Sequence, residues 1–306
     1  MSESSIIEGE LPFEAPGAGK PSKTWYKVFG RLQTPPLILL HGGPGAGHEY
    51  MAPIIDIYDK YKIPVILYDQ IGCGRSTHFP EKNGDDSFWT FDLFTKELEN
   101  LVTHLNLHQL GFYILGQSWG GMLGAAYASQ RPEGLKKLIL AGAPASIPLY
   151  AAGCRHLLSQ LPQDVRTVIE ECEKKGDYES EEYEAASLVF YKQHLCRLDP
   201  FPEPLLVSLG HLKEEPSAYI TMQGPSEFTI VGNFKDWEGW KVAHNIKVPT
   251  LLLNGRYDEV QDSCVEPWFR TIPQIRWVTL EDASHMTHFE ARERFMDLCG
   301  SFLEGN

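Results

Sequence analysis

The sequence of 306 residues contains no long apolar run. Its apolar stretches are all much shorter than the roughly 20 residues that a membrane-spanning helix needs. Residues 1–20 also lack the basic start and the apolar stretch of a secretory signal. Internal repeats and low-complexity tracts are absent. We therefore expect a cytoplasmic protein with no membrane partner, and its 42% hydrophobic and 22% charged residues are typical of a globular chain.

Positive charge is scarce, because 27 lysines and arginines stand against 41 aspartates and glutamates, for a formal net charge of -14. Binding to nucleic acid needs a basic surface that releases counterions from the phosphates, so we expect no nucleic-acid partner. An acidic surface weakly favours ligands that carry an amine. These features do not predict the oligomeric state.

Cysteine pairs and metal-binding motifs are missing as well. The six cysteines are scattered without CxxC spacing, which argues against a zinc site and a disulfide framework and favours reduced thiols. Neither an HExxH motif nor a cluster of carboxylates points to a metal hydrolase. We expect the protein to use no metal and no other cofactor.

The sequence does contain short apolar runs that alternate with helical patterns. Apolar residues at helical spacing predict helices around residues 94–105 and 295–302. Residues 8–14 and 24–29 predict an antiparallel start to a sheet. The alternation predicts a mostly parallel sheet covered by helices on both faces. Five runs bounded by Gly or Pro predict its buried parallel strands: residues 36–40, 64–68, 112–115, 135–141 and 249–253.

Residues 147–245 interrupt the alternation, because they contain no clear buried strand and are helical, acidic and rich in Tyr and Trp. We expect residues 1–146 and 246–306 to form the core and residues 147–245 to form an inserted helical cap. The charged stretch from Glu170 to Glu184 is typical of a solvated helical surface, with electrostatic guidance of a substrate as the alternative.

A GxSxG pattern, Gly116-Gln-Ser-Trp-Gly120, lies between a predicted strand and a helix rich in small residues. A serine on such a turn has a strained backbone, and the glycines allow the strand and helix to approach closely. This context is that of a nucleophile elbow. It predicts Ser118 as the nucleophile of an α/β-hydrolase fold with an inserted helical cap.

Acyl transfer by such a serine needs two backbone N–H groups that bind the developing oxyanion. The segment from His41 to Gly45 (HGGPG) follows a predicted strand, and we predict that the N–H groups of Gly43 and Trp119 form this hole. His41 precedes Ser118, whereas the order in this fold is serine, acid, histidine. We therefore expect His41 to be a structural hydrogen-bonding residue.

The acid and the base are expected after later strands. Asp258 follows the strand at 249–253 and a glycine, and two histidines, His285 and His288, follow the last strand. His285 lies in the loop and is predicted to be the base, with His288 its neighbour at the start of the final helix. In this triad His285 takes the Ser118 proton, Asp258 stabilises the imidazolium, and an acyl-enzyme forms. An unperturbed histidine predicts activity that rises with pH near neutrality.

These motifs resemble the proline iminopeptidase family of α/β-hydrolases, which includes the tricorn-interacting aminopeptidases, over nearly the whole chain. The resemblance implies a metal-free serine peptidase that removes an N-terminal residue from short peptides or hydrolyses amino-acid amides. The substrate would be a small molecule or short peptide with a free amine. The resemblance rests on six motifs: His41–Gly45, Tyr68–Ser76, Gly116–Gly121, Gly224–Phe228, Gly255–Glu259 and Ser284–His285.

The family uses glutamates to hold the free amine, and Glu227 and Glu259 match that pattern here. The alternative is that they are ordinary cap and loop residues. Asp69 and Arg75 are expected in a structural hydrogen-bonded turn. The three aromatic residues Phe228, Trp237 and Trp240 are either walls of the substrate pocket or the core of the cap.

Other functions remain open from the sequence. The same triad could hydrolyse an ester, lactone or thioester, because the fold and the triad do not fix the substrate. A catalytically idle binding protein is a further alternative that the intact triad disfavours. An epoxide hydrolase or dehalogenase would need an acid at the position of Ser118.

Overall fold

The computed structural model describes residues 6–305 and contains one eight-stranded sheet in the order β1-β2-β4-β3-β5-β6-β7-β8. Strand β2 is antiparallel to both of its neighbours, and every other pair of neighbours is parallel. The strands are β1 (Ile6–Phe13), β2 (Ser22–Phe29), β3 (Leu37–Leu40), β4 (Val65–Asp69), β5 (Phe112–Gln117), β6 (Leu135–Ala141), β7 (Thr250–Gly255) and β8 (Ile275–Leu280).

The predicted strands and the antiparallel start are confirmed to within two residues at each end. They were predictable because a strand buried on both faces is a continuous apolar run. Alternate residues point to opposite faces: Ile38 and Leu40 face one apolar cluster, the first face, and Leu37 and Leu39 face a second cluster, the second face. The mostly parallel sheet of an α/β-hydrolase is thus confirmed.

Helices cover both faces. Residues of α2 and α4 pack on the first face, and residues of α1 and α12 pack on the second. The helices are α1 (Asp56–Tyr61), α2 (Phe91–His104), α3 (Leu107–Leu110), α4 (Trp119–Ser129), α5 (Ile147–Leu158), α6 (Gln163–Lys175), α7 (Glu181–His194), α8 (Glu203–Glu214), α9 (Ser217–Met222), α10 (Asp262–Thr271), α11 (Thr287–Glu290) and α12 (Arg292–Glu304).

Five of these helices, α5 to α9, lie between β6 and β7. An isolated antiparallel bridge pairs Ser146, just before α5, with Glu238, which follows α9. Most charged side chains from Glu170 to Glu184 are exposed, as a solvated surface requires. The division into a core and a cap at residues 147–245 stays a prediction. No helix among residues 6–305 is long and apolar enough to cross a membrane.

Candidate active site

Ser118 lies between β5 and α4 with φ 55° and ψ −125°, a backbone conformation that residues with a side chain rarely adopt. Three backbone bonds hold it there. Its N–H donates to the Ala141 carbonyl at 2.9 Å, and its own carbonyl accepts from the N–H groups of Gly121 at 2.9 Å and Met122 at 3.2 Å. Strain of this kind costs about 1–3 kcal/mol and persists only where the surroundings impose it.

The glycines of the elbow are required by close backbone approach. A Cβ on Gly116 would collide with the backbone of Gly120, and a Cβ on Gly120 would collide with the carbonyl oxygen of Leu40. The start of α4 therefore lies directly against β5 and the end of β3. Ser118 is consequently half-buried at the carboxyl end of the sheet.

Asp258 and His285 meet at the same edge of the sheet, from the loops that follow β7 and β8. The Nδ1 atom of His285 lies 2.7 Å from Oδ1 of Asp258, and both side chains are buried. Asp258 Oδ1 also accepts the N–H of Val260 at 2.8 Å. Because Nδ1 donates to the carboxylate, Nε2 is the nitrogen left to accept a proton.

The pKa of His285 reflects two opposed effects. Burial lowers the pKa, but the charge and hydrogen bond of Asp258, together with the charges of Glu259 and Glu227, outweigh burial and raise it to about 9. The titration expected near neutrality from the sequence is therefore displaced upward. A histidine surrounded by carboxylates holds its proton more tightly than an isolated one.

One pocket of about 400 Å³, open to solvent, joins most of the predicted residues. Ser118, His285, Gly43, Glu227 and Glu259 all line it. No hydrogen bond joins the Ser118 hydroxyl to the imidazole of His285 within residues 6–305. Catalytic hydrogen bonds of this type commonly tighten only when the substrate binds.

A hydrogen-bonded chain fixes the three loops around the pocket. The Gly42 N–H donates to the Tyr50 hydroxyl at 2.6 Å, and that hydroxyl donates to Oε1 of Gln117 at 2.6 Å. The Gln117 amide donates in turn to the His285 carbonyl at 3.4 Å. The oxyanion loop, the elbow and the loop that carries the base are thereby locked together.

The predicted oxyanion donors are the N–H groups of Gly43 and Trp119. Gly43 has φ 109°, which a residue with a Cβ would not adopt readily. Trp119 is the first residue of α4, where an N–H has no partner within the helix. In the described part of the chain neither N–H donates to another backbone group, so both can bind an oxyanion.

His41 and His288, which were considered and not chosen as the base, form hydrogen bonds with other groups. His41 bonds through Nδ1 to the Gly42 carbonyl at 3.0 Å and through Nε2 to the Gln70 N–H at 3.0 Å. His288 donates Nε2–H to the Tyr50 carbonyl at 2.9 Å, and burial lowers its pKa to about 4. Both make structural hydrogen bonds away from Ser118.

Asp69 and Arg75 form part of a hydrogen-bonded turn. Asp69 accepts the N–H of Arg75 at 2.9 Å and the N–H of His48 at 2.9 Å. The Arg75 guanidinium extends away from Asp69 and pairs with Glu8 at 2.7 Å. The turn therefore uses the backbone of Arg75, and neither residue lines the pocket.

The two predicted amine-binding glutamates are brought together by a tyrosine. The Tyr150 hydroxyl lies 2.9 Å from Glu227 Oε2 and 3.3 Å from Glu259 Oε1. Tyr219 donates to the other oxygen of Glu227 at 2.6 Å. Glu259 Oε1 lies 3.9 Å from Nε2 of His285. Glu259 thus lies beside the predicted base, and Tyr150 links it to Glu227.

Glu259 is left with unused acceptor capacity. Its Oε2 atom is buried and has no hydrogen-bond partner among the described residues. Burial raises the pKa of the Glu259 carboxyl well above its usual range, and the nearby charge of Glu227 raises it further. Glu227 also accepts from Tyr219 and from the Gln223 amide, and Tyr150 has a single proton to share, so Glu259 is the carboxylate that is short of a donor.

The three aromatic residues singled out from the sequence, Phe228, Trp237 and Trp240, do not line the pocket. Phe228 packs against Phe190 with ring centroids 5.3 Å apart, and Trp237 stacks on Phe91 at 4.9 Å. Trp240 is half-buried and packs on the apolar cluster of the first face. The expectation that they wall the pocket is therefore wrong. The alternative, a core within residues 147–245, holds for Phe228 only, because the two tryptophans pack on the first face of the sheet.

Sequence reasoning missed Tyr150, Tyr219 and the apolar residues of the pocket. Tyr150 reaches carboxylates 77 and 109 positions away, and no local pattern encodes such contacts. The apolar lining includes Leu205, Leu209 and Leu212 of α8. Their helical spacing was a usable signal for an apolar helix face, although not for its position over Ser118.

Among the described residues, two groups of side chains have donor atoms close enough to hold a metal ion. One is His41, Asp69 and Cys73, and the other is His48, Glu49 and Asp69. Their donor atoms already take part in the bonds that fix the turn after β4, such as the 2.8 Å contact of His48 Nδ1 with Asp69. None of these residues lines the pocket.

Comparison with known proteins agrees with this geometry. Residues 35–292 match the model of the alpha/beta hydrolase fold family. A proline iminopeptidase of Saccharolobus solfataricus is 36% identical over 279 residues, which cover 91% of this chain and 87% of that protein.

Two crystal structures are similar over nearly the whole chain. The structure of VinJ has a TM-score of 0.92 and 39% identity, covering 97% of this chain and 98% of that one. A proline iminopeptidase of Mycobacterium smegmatis has a TM-score of 0.85 and 36% identity, with coverage of 97% and 98%. The resemblance drawn from the motifs is thereby confirmed, and the chain belongs to the proline iminopeptidase family of α/β-hydrolases.

Proposed function

We propose that this protein is a serine aminopeptidase that removes an N-terminal residue from short peptides or hydrolyses amino-acid amides through an acyl-enzyme. The observation that supports the proposal is the pair Glu227 and Glu259, bridged by Tyr150, with Oε1 of Glu259 3.9 Å from Nε2 of His285. Since the curated relatives are named proline iminopeptidases, N-terminal proline is the residue to test first.

The carboxylate pair suits a substrate ammonium. A charged amine that leaves water needs compensating charge and acceptors, and the cluster offers two carboxylates, including the unpartnered Oε2 of Glu259. Binding would relieve the repulsion between the carboxylates. Because an ammonium held there lies beside His285, the first carbonyl of the substrate is placed next to Ser118.

The chemistry follows from the geometry. His285 Nε2 takes the proton of Ser118 as the Oγ–C bond forms, and the N–H groups of Gly43 and Trp119 bind the oxyanion. His285 then gives that proton to the leaving amine as the C–N bond breaks. Water, deprotonated by the same imidazole, hydrolyses the acyl-enzyme, releasing the amino acid and restoring Ser118. Asp258 holds the imidazole throughout.

Acetylating the substrate amine is expected to lower kcat/KM by roughly 30-fold to several thousand-fold, because it removes the ammonium and leaves buried carboxylates unpaired. Glu227→Gln should cause a loss in the same direction with free-amine substrates. Above the pKa of His285, where the imidazole is neutral in both enzymes, it should leave kcat/KM for short-chain aryl esters nearly unaffected. The measurement compares a prolyl anilide, its N-acetyl form and a plain aryl ester on both enzymes.

Glu203→Gln supplies the matched control, since Glu203 is an exposed glutamate at the start of α8. It should retain wild-type kinetics with all three substrates. Equal turnover of the free and acetylated anilides would contradict amine recognition. The triad would then be assigned to an ester, lactone or thioester hydrolase.

The pH profile offers a second test, because only neutral His285 accepts the serine proton. With an aryl ester, which needs no ammonium contact, kcat/KM should rise with pH toward the pKa of about 9. Glu227→Gln removes a negative charge that favours the imidazolium, so the rise should move to lower pH. A profile that stays in place in this variant would show that the Glu227 charge does not act on the base.

A further inference from the structure

The pocket has two chemically different sides. Glu227 and Glu259 form its polar side, and Tyr150, whose hydroxyl lies within hydrogen-bond distance of both, belongs to the apolar cluster of the first face. The opposite side, the apolar wall, packs with the cluster of the second face. The apolar wall consists of Leu195, Leu205, Leu209, Leu212 and Met286.

Helix α8 holds the apolar wall beside the oxyanion loop. Its three leucines, at spacings of four and three residues, lie on one helix face. On the same helix, Ser208 accepts the Tyr50 N–H at 3.1 Å and His211 bonds to Glu49 at 3.1 Å. The Leu212 side chain lies against Gly45. The wall is therefore fixed to the elements that position the reacting carbonyl.

The apolar wall also adjoins the base. Met286 follows His285, and its N–H donates to the Leu195 carbonyl at 3.0 Å. A leaving amine must receive its proton from His285 Nε2, so it has to leave close to this imidazole. With the substrate ammonium on the polar side, the leaving group extends toward the apolar wall.

Positive charge is missing from this half of the pocket. None of the described residues that line it is a lysine or an arginine, and its charged members besides His285 are two carboxylates. A dipeptide leaving group carries its own carboxylate two bonds from the scissile nitrogen. That carboxylate would lie unpaired against the apolar wall, in a pocket whose net charge is already negative, an arrangement that opposes binding.

We propose that the leaving group of the natural substrate is a neutral, apolar amine. The substrate class is then an aminoacyl amide of an apolar amine, or a peptide whose second residue is apolar and carries no free carboxylate, in preference to a free dipeptide. The reaction is unchanged: the C–N bond breaks, His285 protonates the released amine, and water completes hydrolysis. This inference rests on the proposed aminopeptidase function and specifies its second subsite.

The first experiment compares prolyl-leucine with prolyl-leucinamide on the wild-type enzyme. We expect kcat/KM to be roughly 10- to 100-fold higher for the amide, because the two leaving groups differ only in the carboxylate. Equal values would overturn the proposal. If neither substrate is cleaved faster than its N-acetyl form, the aminopeptidase function itself fails, and the two failures are thus distinguishable.

The second experiment tests the apolar wall with Leu209→Ala. We expect kcat/KM for prolyl-leucinamide to fall by roughly tenfold through lost apolar contact, while prolinamide, whose leaving group is ammonia, changes little. Leu206→Ala is the matched control, since Leu206 lies on α8 but is 52% exposed and outside the pocket. Equal losses for both amides in Leu209→Ala would overturn the placement of the leaving group.

Discussion

Ser118→Ala is expected to lower kcat by roughly four to six orders of magnitude, because the acyl-enzyme cannot form without the hydroxyl. His285→Ala should cause a loss of similar size. The double variant should be little worse than either single variant, since the two residues act as one unit. The measurements are kcat on a prolyl anilide and labelling by a fluorophosphonate, which should modify wild-type Ser118 and leave Ser118→Ala unlabelled.

His288→Ala provides the control for the assignment of the base. His288 is as deeply buried as His285 and lies three positions away, but it bonds to the Tyr50 carbonyl and not to Asp258. Its removal should therefore affect stability more than kcat. If His288→Ala reduced kcat as much as His285→Ala, the assignment of His285 as the base would have to be withdrawn.

The elbow was predictable from sequence because its determinants are local. Ser118 needs a strand before it, a helix after it and glycines at two fixed positions, and all of these lie within one short segment. The order of serine, acid and histidine then selected Asp258 and His285 from the loops after two later strands. The three residues meet because the strands before their loops are parallel, so that these loops lie at the same edge of the sheet.

The environment of the triad could not be predicted in the same way. The raised pKa of His285 depends on Asp258 together with Glu259 and Glu227, which converge from loops far apart in the chain. Tyr150, which bridges the glutamates, lies on α5, where the sequence shows only one more tyrosine in an aromatic-rich segment. Residue spacing along the sequence does not predict contacts between segments that only tertiary packing brings together.

Asp258→Asn is expected to lower kcat by on the order of 10⁴-fold. The carboxylate oxygen Oδ1 accepts from both His285 Nδ1 and the Val260 N–H, so an amide oxygen placed there preserves both contacts. Its NH₂ group would then lie at the position of Oδ2, which is buried and has no partner in the described structure. The reversed amide would face His285 with a donor and force the tautomer that cannot accept the serine proton.

Either orientation also removes the charge that stabilises the imidazolium. Asp258 is the strongest of the groups that raise the pKa of His285, so the residual activity of Asp258→Asn on an aryl ester should rise with pH at a lower pH than in the wild type. Asp262→Asn, an exposed aspartate that bonds to Asn254 at the start of α10, should change neither kcat nor this profile. A large fall in kcat without any movement of the profile would mean that Asp258 acts by orienting the imidazole alone, and the electrostatic account of the raised pKa would be wrong.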